Sequence, residues 1–266
     1  MRTALVLTLA LLLHVPSPAA GQASAPAALQ TGSSKIWIGR EAEFEEYLKT
    51  APIDREEKIP VGVTKPRHLF FTPGGPIAGA VFKPLRPGRK DGGFFESYKS
   101  EIAAYELDKL LGLGMVPPTV ERRYEGEVGS LQLWVENVTL LKGRDPGTAP
   151  DVNAWNRQVH RQRVWDALTA NGDRNAGNLL VDRAWNLILI DHSRCFTTDT
   201  HFPFPITRTD RAFFERLRAL DDASLRARLG SLLFDGPKAV LKRRDKIVQK
   251  IAELVKEKGE SAVFLP

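Results

Sequence analysis

The stretch NGDRNAGNLLVDRAWNLILIDHSRCF, residues 171–196, decides the reading of the whole chain. It opens on a polar cluster, passes through two short apolar runs, NLLVD (178–182) and NLILID (186–191), and ends on an acid directly after Leu-Ile-Leu-Ile. The two runs flank Arg183-Ala184-Trp185 and read as a β-hairpin. An acid at the mouth of so apolar a strand is costly unless a cation or hydrogen bonds compensate it, and a bound metal ion would do so. Pairing of the two strands would bring Asn178 and Asp191, at their outer ends, side by side. Asp173 stands five residues before Asn178, and Asp191 thirteen after it. Asp173-Arg174-Asn175 taken alone is a polar turn closed by an Asx hydrogen bond; the hairpin order and both spacings together favour a site.

Working outward from that stretch, Glu41 to Leu48 reads as a short helix, with Phe44 and Leu48 on one face. From Ile59 the pattern turns to strands: HLFF (68–71), a Pro-Gly-Gly-Pro turn (73–76) and AGAVF (78–82), ending at Lys83. A glycine-bearing loop leads to a helix from near Phe95, stopped by Gly112 and Gly114. TVERRY (119–124) and SLQLWVE (130–136) form a second hairpin. Helical spacing of Trp155, Val159, Val164 and Leu168 predicts a helix over 152–169. Beyond the opening stretch the chain is helical, about 210–219, 223–233 and 238–258, the last with its many charges on a solvated face. The fold class is therefore α+β, with two lobes: a strand-rich part with one main helix (36–136) and a mostly helical part (137–266).

With 42% apolar residues in 266 the chain can build a core. Arg2 followed by the apolar run Ala4 to Leu13 reads as a signal peptide, 1–21, the run being short for a bilayer span and an uncleaved membrane anchor being the alternative, and 22–35, rich in Ala, Ser, Gly, Pro and Gln, reads as a flexible tail left by cleavage. Export permits disulfides, yet Cys195 is the single cysteine, so no intramolecular bridge forms; it reads as a small buried hydrophobe. The net charge of +6 is interleaved with acids along the chain, which argues against a nucleic-acid reader. The five histidines have no metal-ligand spacing.

The polar residues run in the order Lys83, Glu101, Asp173, Asn178, Asp191. Hard oxygen ligands converging from separate backbone segments suit Mg²⁺ or Mn²⁺ bound to nucleotide phosphates. In this order and spacing the chain resembles the atypical branch of the protein-kinase-like superfamily, which holds the phosphatidylinositol 3- and 4-kinases, the HipA-type kinases and the secretory-pathway kinases. GDRNAGN replaces the usual His-Arg-Asp loop and IDHSRCF the Asp-Phe-Gly element. The resemblance spans roughly Ile59 to Phe196.

That resemblance implies ATP as substrate, Asp173 as catalytic aspartate, and Asn178 and Asp191 as magnesium ligands. Lys83 would bind the α- and β-phosphates and pair with Glu101. LWVE (133–136), with Trp134 and Glu136, would be the hinge whose backbone meets adenine. PVGVTKPR (60–67) would stand in for the glycine-rich loop, although Gly62 is its only glycine; Lys65 there would help to hold phosphate.

The function expected is an exported phosphotransferase moving the γ-phosphoryl group of ATP to a hydroxyl of a protein or small molecule. In the segment just after Asp191, HSRCFTTDTHFPFPITR (192–208), Arg194 and Arg208 are the only strong cations, fewer than a phosphoinositide headgroup would require. A scaffolding pseudokinase and a nucleotidyl (AMP) transferase on the same fold are the alternatives, and the retained Lys, Asn and two Asp argue against the first.

Overall fold

A computed structural model describes residues 32–60, 65–89, 95–233 and 235–265. The expected signal peptide, most of the expected tail and Gly62 lie outside the described residues.

The first helix, α1 (Glu41–Thr50), buries Phe44 and Leu48. Strands β1 (Ile53–Lys58), β2 (Arg67–Phe71) and β3 (Gly79–Lys83) follow, then the two-residue pair β4 (Gly88–Arg89) and β5 (Phe95–Glu96). After α2 (Tyr98–Leu111) come β6 (Thr119–Tyr124) and β7 (Glu127–Leu133). Strands β1, β2, β3, β7 and β6, in that order, form one antiparallel sheet. β1 was not apparent in the sequence because five of its six residues, from Asp54 to Lys58, are exposed, so no apolar alternation marks it. Of PVGVTKPR, residues 61–64 lie outside the described residues and Arg67 begins β2; beside them Ile59 N–H donates to the Pro66 carbonyl at 3.2 Å.

The sheet's pleat sorts its residues between two faces. Ala80 and Phe82 join Leu69, Phe71, Leu131 and Leu133 in a core covered by Phe44 and Leu48 of α1 and by Trp37. Gly79, Val81 and Lys83 point to the opposite face, which α2 covers in part. The helix begins three residues later than its apolar pattern suggests. Ser97 caps it, its hydroxyl accepting from Lys99 N–H at 3.0 Å, and Phe95–Glu96 is drawn into the short pairing with Gly88–Arg89. Gly112, at φ 58°, ends it in the left-handed turn that glycine favours.

The second lobe starts with β8 (Val138–Leu140), a strand too short for its pattern to be read, which pairs with β9 (Leu179–Asp182), itself paired with β10 (Leu187–Leu189). Besides three single-turn 3-10 helices, the remaining elements are α3 (Val152–Thr169), β11 (Thr209–Asp210), α4 (Arg211–Arg218), α5 (Asp222–Leu229), α6 (Lys238–Lys258), the short α7 (Glu260–Val263) and β12 (Phe264–Leu265). They enclose the larger core, with Trp165, Leu168, Phe213, Leu217 and Ile247 fully or almost fully buried. β12 pairs in parallel with β11, pinning residues 264–265 to the start of α4.

Two sequence expectations need correction. Arg243 is not on the solvated face of α6. It is fully buried and donates to the carbonyls of Leu168, Thr197 and Asp199 at 2.7–2.9 Å, tying α6 to the end of α3. Ser34, expected in a flexible tail, is buried, its N–H on Asp182 Oδ2 at 2.8 Å. Cys195 is a free, buried thiol as expected, and burial pushes its pKa well up. Among the described residues no helix is long and apolar enough to cross a membrane.

Candidate active site

Lys83, the last residue of β3, meets two acids, one from each lobe. Its Nζ lies 2.6 Å from Glu101 Oε1 and 2.9 Å from Asp191 Oδ1. Burial works to lower the ammonium's pKa, but Glu101 and then Asp191 more than reverse it, so the lysine stays charged. Glu101, fully buried on α2, spends its other oxygen on the His192 N–H at 3.0 Å.

The apolar strand ends at Leu189, not at the acid. Asp191 lies two residues beyond, in the left-handed region at φ 60°, which Asp tolerates better than most side chains. The sequence suggested a metal ion to compensate this acid, but the compensation present within the chain is Lys83. Burial works to raise the Asp191 carboxyl, and Lys83, with the Ser193 hydroxyl at 3.3 Å, holds it below the ordinary value.

The hairpin does bring Asn178 and Asp191 together. Leu189 pairs with Leu179, and Ile190 N–H donates to the Asn178 carbonyl at 3.2 Å. Asn178 gives Nδ2 to the Asp173 carbonyl at 3.2 Å, which leaves Oδ1 as the atom for any cation. Asp191 commits Oδ1 to Lys83 and Ser193, leaving Oδ2. An amide oxygen and one carboxylate oxygen fit Mg²⁺ or Mn²⁺ that takes its other ligands from phosphates and water. Among the described residues no group of three or more His, Cys, Asp or Glu side chains could hold a metal ion by itself.

The other expected residues are placed as follows. Asp173 is 45% exposed at its side chain and receives Arg194 Nη1 on Oδ2 at 3.3 Å. Trp134 follows β7, but its N–H is taken by the Gly79 carbonyl at 3.1 Å, so that amide is not the adenine contact. Its half-exposed indole instead stacks on His68 with ring centroids 4.0 Å apart, and His68 contacts Phe70. The His68 ring presses on Gly79, where an added Cβ would lie 2.6 Å from Nε2, so this aromatic tier occupies the Lys83 face of the sheet at its hinge end. Glu136 is exposed, and Lys65 is exposed on the β1–β2 connection at φ 47°.

Sequence reasoning missed the group that builds the site, Arg174. Its Nη1 donates at 2.8 Å to both the Asn178 and Ile190 carbonyls, clamping the two ends of the hairpin. Nε bonds to Asp166 of α3 at 3.1–3.2 Å, and Nη2 lies 3.0 Å from His192 Nε2. Burial pushes the Asp166 carboxyl up, with Arg174 pulling the other way. Arg174 read as part of a polar turn because its side-chain partners, Asp166 and His192, are 8 and 18 residues away. An acid and an arginine eight apart carry no local signal.

His192 Nε2 also faces Trp165 Nε1 at 3.2 Å. A nitrogen facing two donors must be the unprotonated one, so the ring is neutral with its proton on Nδ1. Burial, then Arg174, then Lys83 hold its pKa well below the ordinary value. The folded state therefore refuses a proton that the unfolded chain accepts below about pH 6.5. Stability tied to His192 is complete above that pH and is lost as the pH falls. His192→Gln, which keeps an acceptor near the Nε2 position without titrating, is expected to flatten the fall in unfolding free energy between pH 6.5 and 5 by up to about 1.4 kcal/mol per unit. Denaturant titrations across that range check this, and parallel slopes for the two proteins would contradict it.

Residues 79–258 match the family described as phosphatidylinositol 3- and 4-kinase. The chain is 27% identical over 205 residues to phosphatidylinositol 4-kinase gamma 2 of Arabidopsis thaliana, covering 65% of this chain and 34% of that protein. It is 31% identical over 170 residues to phosphatidylinositol 4-kinase gamma 4 of the same plant, covering 54% and 27%. The chain thus spans about a third or less of the length of these curated relatives. Its fold is similar to that of the Golgi casein kinase solved with Mn/ADP bound (TM-score 0.64, 18% identity, 85% of this chain and 78% of that one). It is likewise similar to hydra Fam20 solved with sugar (TM-score 0.63, 17% identity, 84% and 91%). At those identities the likeness concerns the two-lobed kinase-like fold. Since the family match runs from β3 to the end of α6, and so through each polar residue from Lys83 to Asp191 that the cleft gathers, the chain belongs to the phosphatidylinositol 3- and 4-kinase family of phosphotransferases.

Proposed function

We propose that this protein is an exported ATP-dependent kinase that transfers the γ-phosphoryl group to a hydroxyl of a protein or small molecule. The observation that carries the reading is the convergence at Lys83, whose ammonium bridges Glu101 from one lobe and Asp191 from the other beside Asn178. Export is supported by the signal-like run in residues 1–21.

In this reading Lys83, held charged by its two acids, places its ammonium against the α- and β-phosphate oxygens of ATP. Asn178 Oδ1 and Asp191 Oδ2 would hold a divalent cation, which when bound supplies positive charge to the phosphate oxygens as the transferred group moves. Asp173 orients the acceptor hydroxyl and takes its proton as the new O–P bond forms and the bond from the γ-phosphorus to the bridging oxygen breaks, releasing ADP. There is little covalent chemistry for the protein to perform, so positioning and fixed charge supply the rate. The Phe70–His68–Trp134 tier would line the base end of the cleft, about 13 Å of strand from Lys83 at about 3.3 Å per residue.

The relatives' names specify phosphatidylinositol, and one structural neighbour's name a protein, casein. The cations past Asp191 favour a protein or small acceptor, because Arg194 is already committed to Glu96 and Asp173. The test is to incubate the full chain with Mg²⁺ or Mn²⁺ and ATP labelled at the γ or the α position, offering casein, small polyols or phosphatidylinositol vesicles. Label from the γ position in a protein or polyol is expected. Label in the lipid would overturn the acceptor class, and label from the α position would make the protein a nucleotidyltransferase. No label, together with no thermal stabilisation by nucleotide, would favour a scaffold.

A further inference from the structure

The four residues after Asp191 are each fastened to the start of α2. His192 N–H donates to Glu101 Oε2 at 3.0 Å, Ser97 N–H donates to the Ser193 carbonyl at 2.9 Å, and the Ser100 hydroxyl donates to the Cys195 carbonyl at 3.3 Å. The remaining tie is ionic. Arg194 Nε lies 3.0 Å from Glu96 Oε1, and Glu96 is buried immediately before the helix cap. The far end of the same guanidinium reaches Asp173 Oδ2 at 3.3 Å.

We propose that Arg194 is a positioning residue for Asp173, held by Glu96, so that the placement of α2 sets the orientation of the proton-accepting carboxylate. The proposal rests on the reading of Asp173 as the group that takes the acceptor's proton. Asp173 is nearly half exposed on a short loop, where staggered rotamers compete. Engaging Oδ2 fixes the side chain and presents Oδ1 to the acceptor. Glu96 cannot easily release Arg194, because a buried carboxylate without its partner is strongly unfavourable. The planar guanidinium spans two acids at once, which a lysine ammonium on a flexible stem does not reproduce. Lys83 and Arg194 thus form two separate ionic links between the lobes, one ending on Asp191 and the other on Asp173.

The experiment measures ATP hydrolysis by the full chain, with water as acceptor and Mn²⁺ as metal, in Arg194→Ala, Arg194→Lys, Glu96→Gln, the Glu96→Gln/Arg194→Ala double variant and Asp173→Asn. Arg194→Ala is expected to lower kcat about 30-fold with KM for ATP within about twofold, as misplacement of a reacting group does. Arg194→Lys is expected to recover little of that loss. Glu96→Gln is expected to lower kcat less, and the double variant to equal Arg194→Ala alone, because Glu96 acts only through Arg194. The double variant also serves if Arg194→Ala, with Glu96 left unpaired, fails to fold. Losses that multiply in the double variant, a loss confined to KM, or full rescue by lysine would overturn the proposal. If Asp173→Asn is inactive while Arg194→Ala is normal, the link fails and the proposed function stands. If Asp173→Asn keeps its kcat, the assignment of Asp173 fails and the link with it. A crystal structure of Arg194→Ala in which Asp173 keeps its rotamer would also overturn the link, whether or not the protein turns over ATP.

Discussion

Asp191→Asn is expected to reduce γ-phosphoryl transfer by about 10³-fold while leaving the protein folded. Asparagine has nearly the shape of aspartate and accepts the left-handed backbone at φ 60°, so the change removes charge and little else. Alanine would add backbone strain and blur the result. Lys83 keeps Glu101 at 2.6 Å, so its ammonium is not left alone in the interior. The Asp191 side chain is 35% exposed, and losing a pair of that exposure costs about 1 kcal/mol or less. For a chain of this size that is about 2–4 °C of melting temperature. Activity within tenfold of the parent would remove Asp191 from the phosphate site. A fall of more than about 8 °C would make the acid a structural partner of Lys83 first.

The opposite outcome is expected at Arg174. Arg174→Met keeps most of the side chain's volume but strips the buried Asp166 of its guanidinium and leaves the carbonyls of Asn178 and Ile190 without their shared donor. Breaking a buried ion pair at one end costs about 3–5 kcal/mol, here about 10 °C or more in melting temperature. The Asp166 carboxyl, already pushed up by burial, takes up a proton rather than stand charged. Removing the second charge as well, in Arg174→Met/Asp166→Asn, should return part of the loss. Thermal melts of the single and double variants decide the matter. A single variant melting within about 3 °C of the parent would show that the hairpin ends hold together without the clamp.

The meeting of Asn178 with the segment leading to Asp191 was legible because order and spacing along one hairpin carry it: a two-residue period and a turn tell which strand ends must meet. The α2 helix and its stop were legible for a similar reason, since an apolar stripe and two glycines are local signals. β1 and β8 were not, one because its side chains face water and the other because three residues set no period.

The sequence by itself therefore determined the fold class, the two lobes and the polar residues that line the cleft between them. Only the tertiary structure decided how those residues are held. Arg174 meets Asp166 and His192, Glu96 meets Arg194, and Arg243 meets the end of α3, each across a span of chain with no pattern to announce it. It also decided that Lys83 compensates Asp191, and that the Trp134 amide is already engaged by β3. The reason is physical: a backbone periodicity is written into neighbouring residues, whereas a buried charge is matched by whatever partner the packed chain brings within about 3 Å of it.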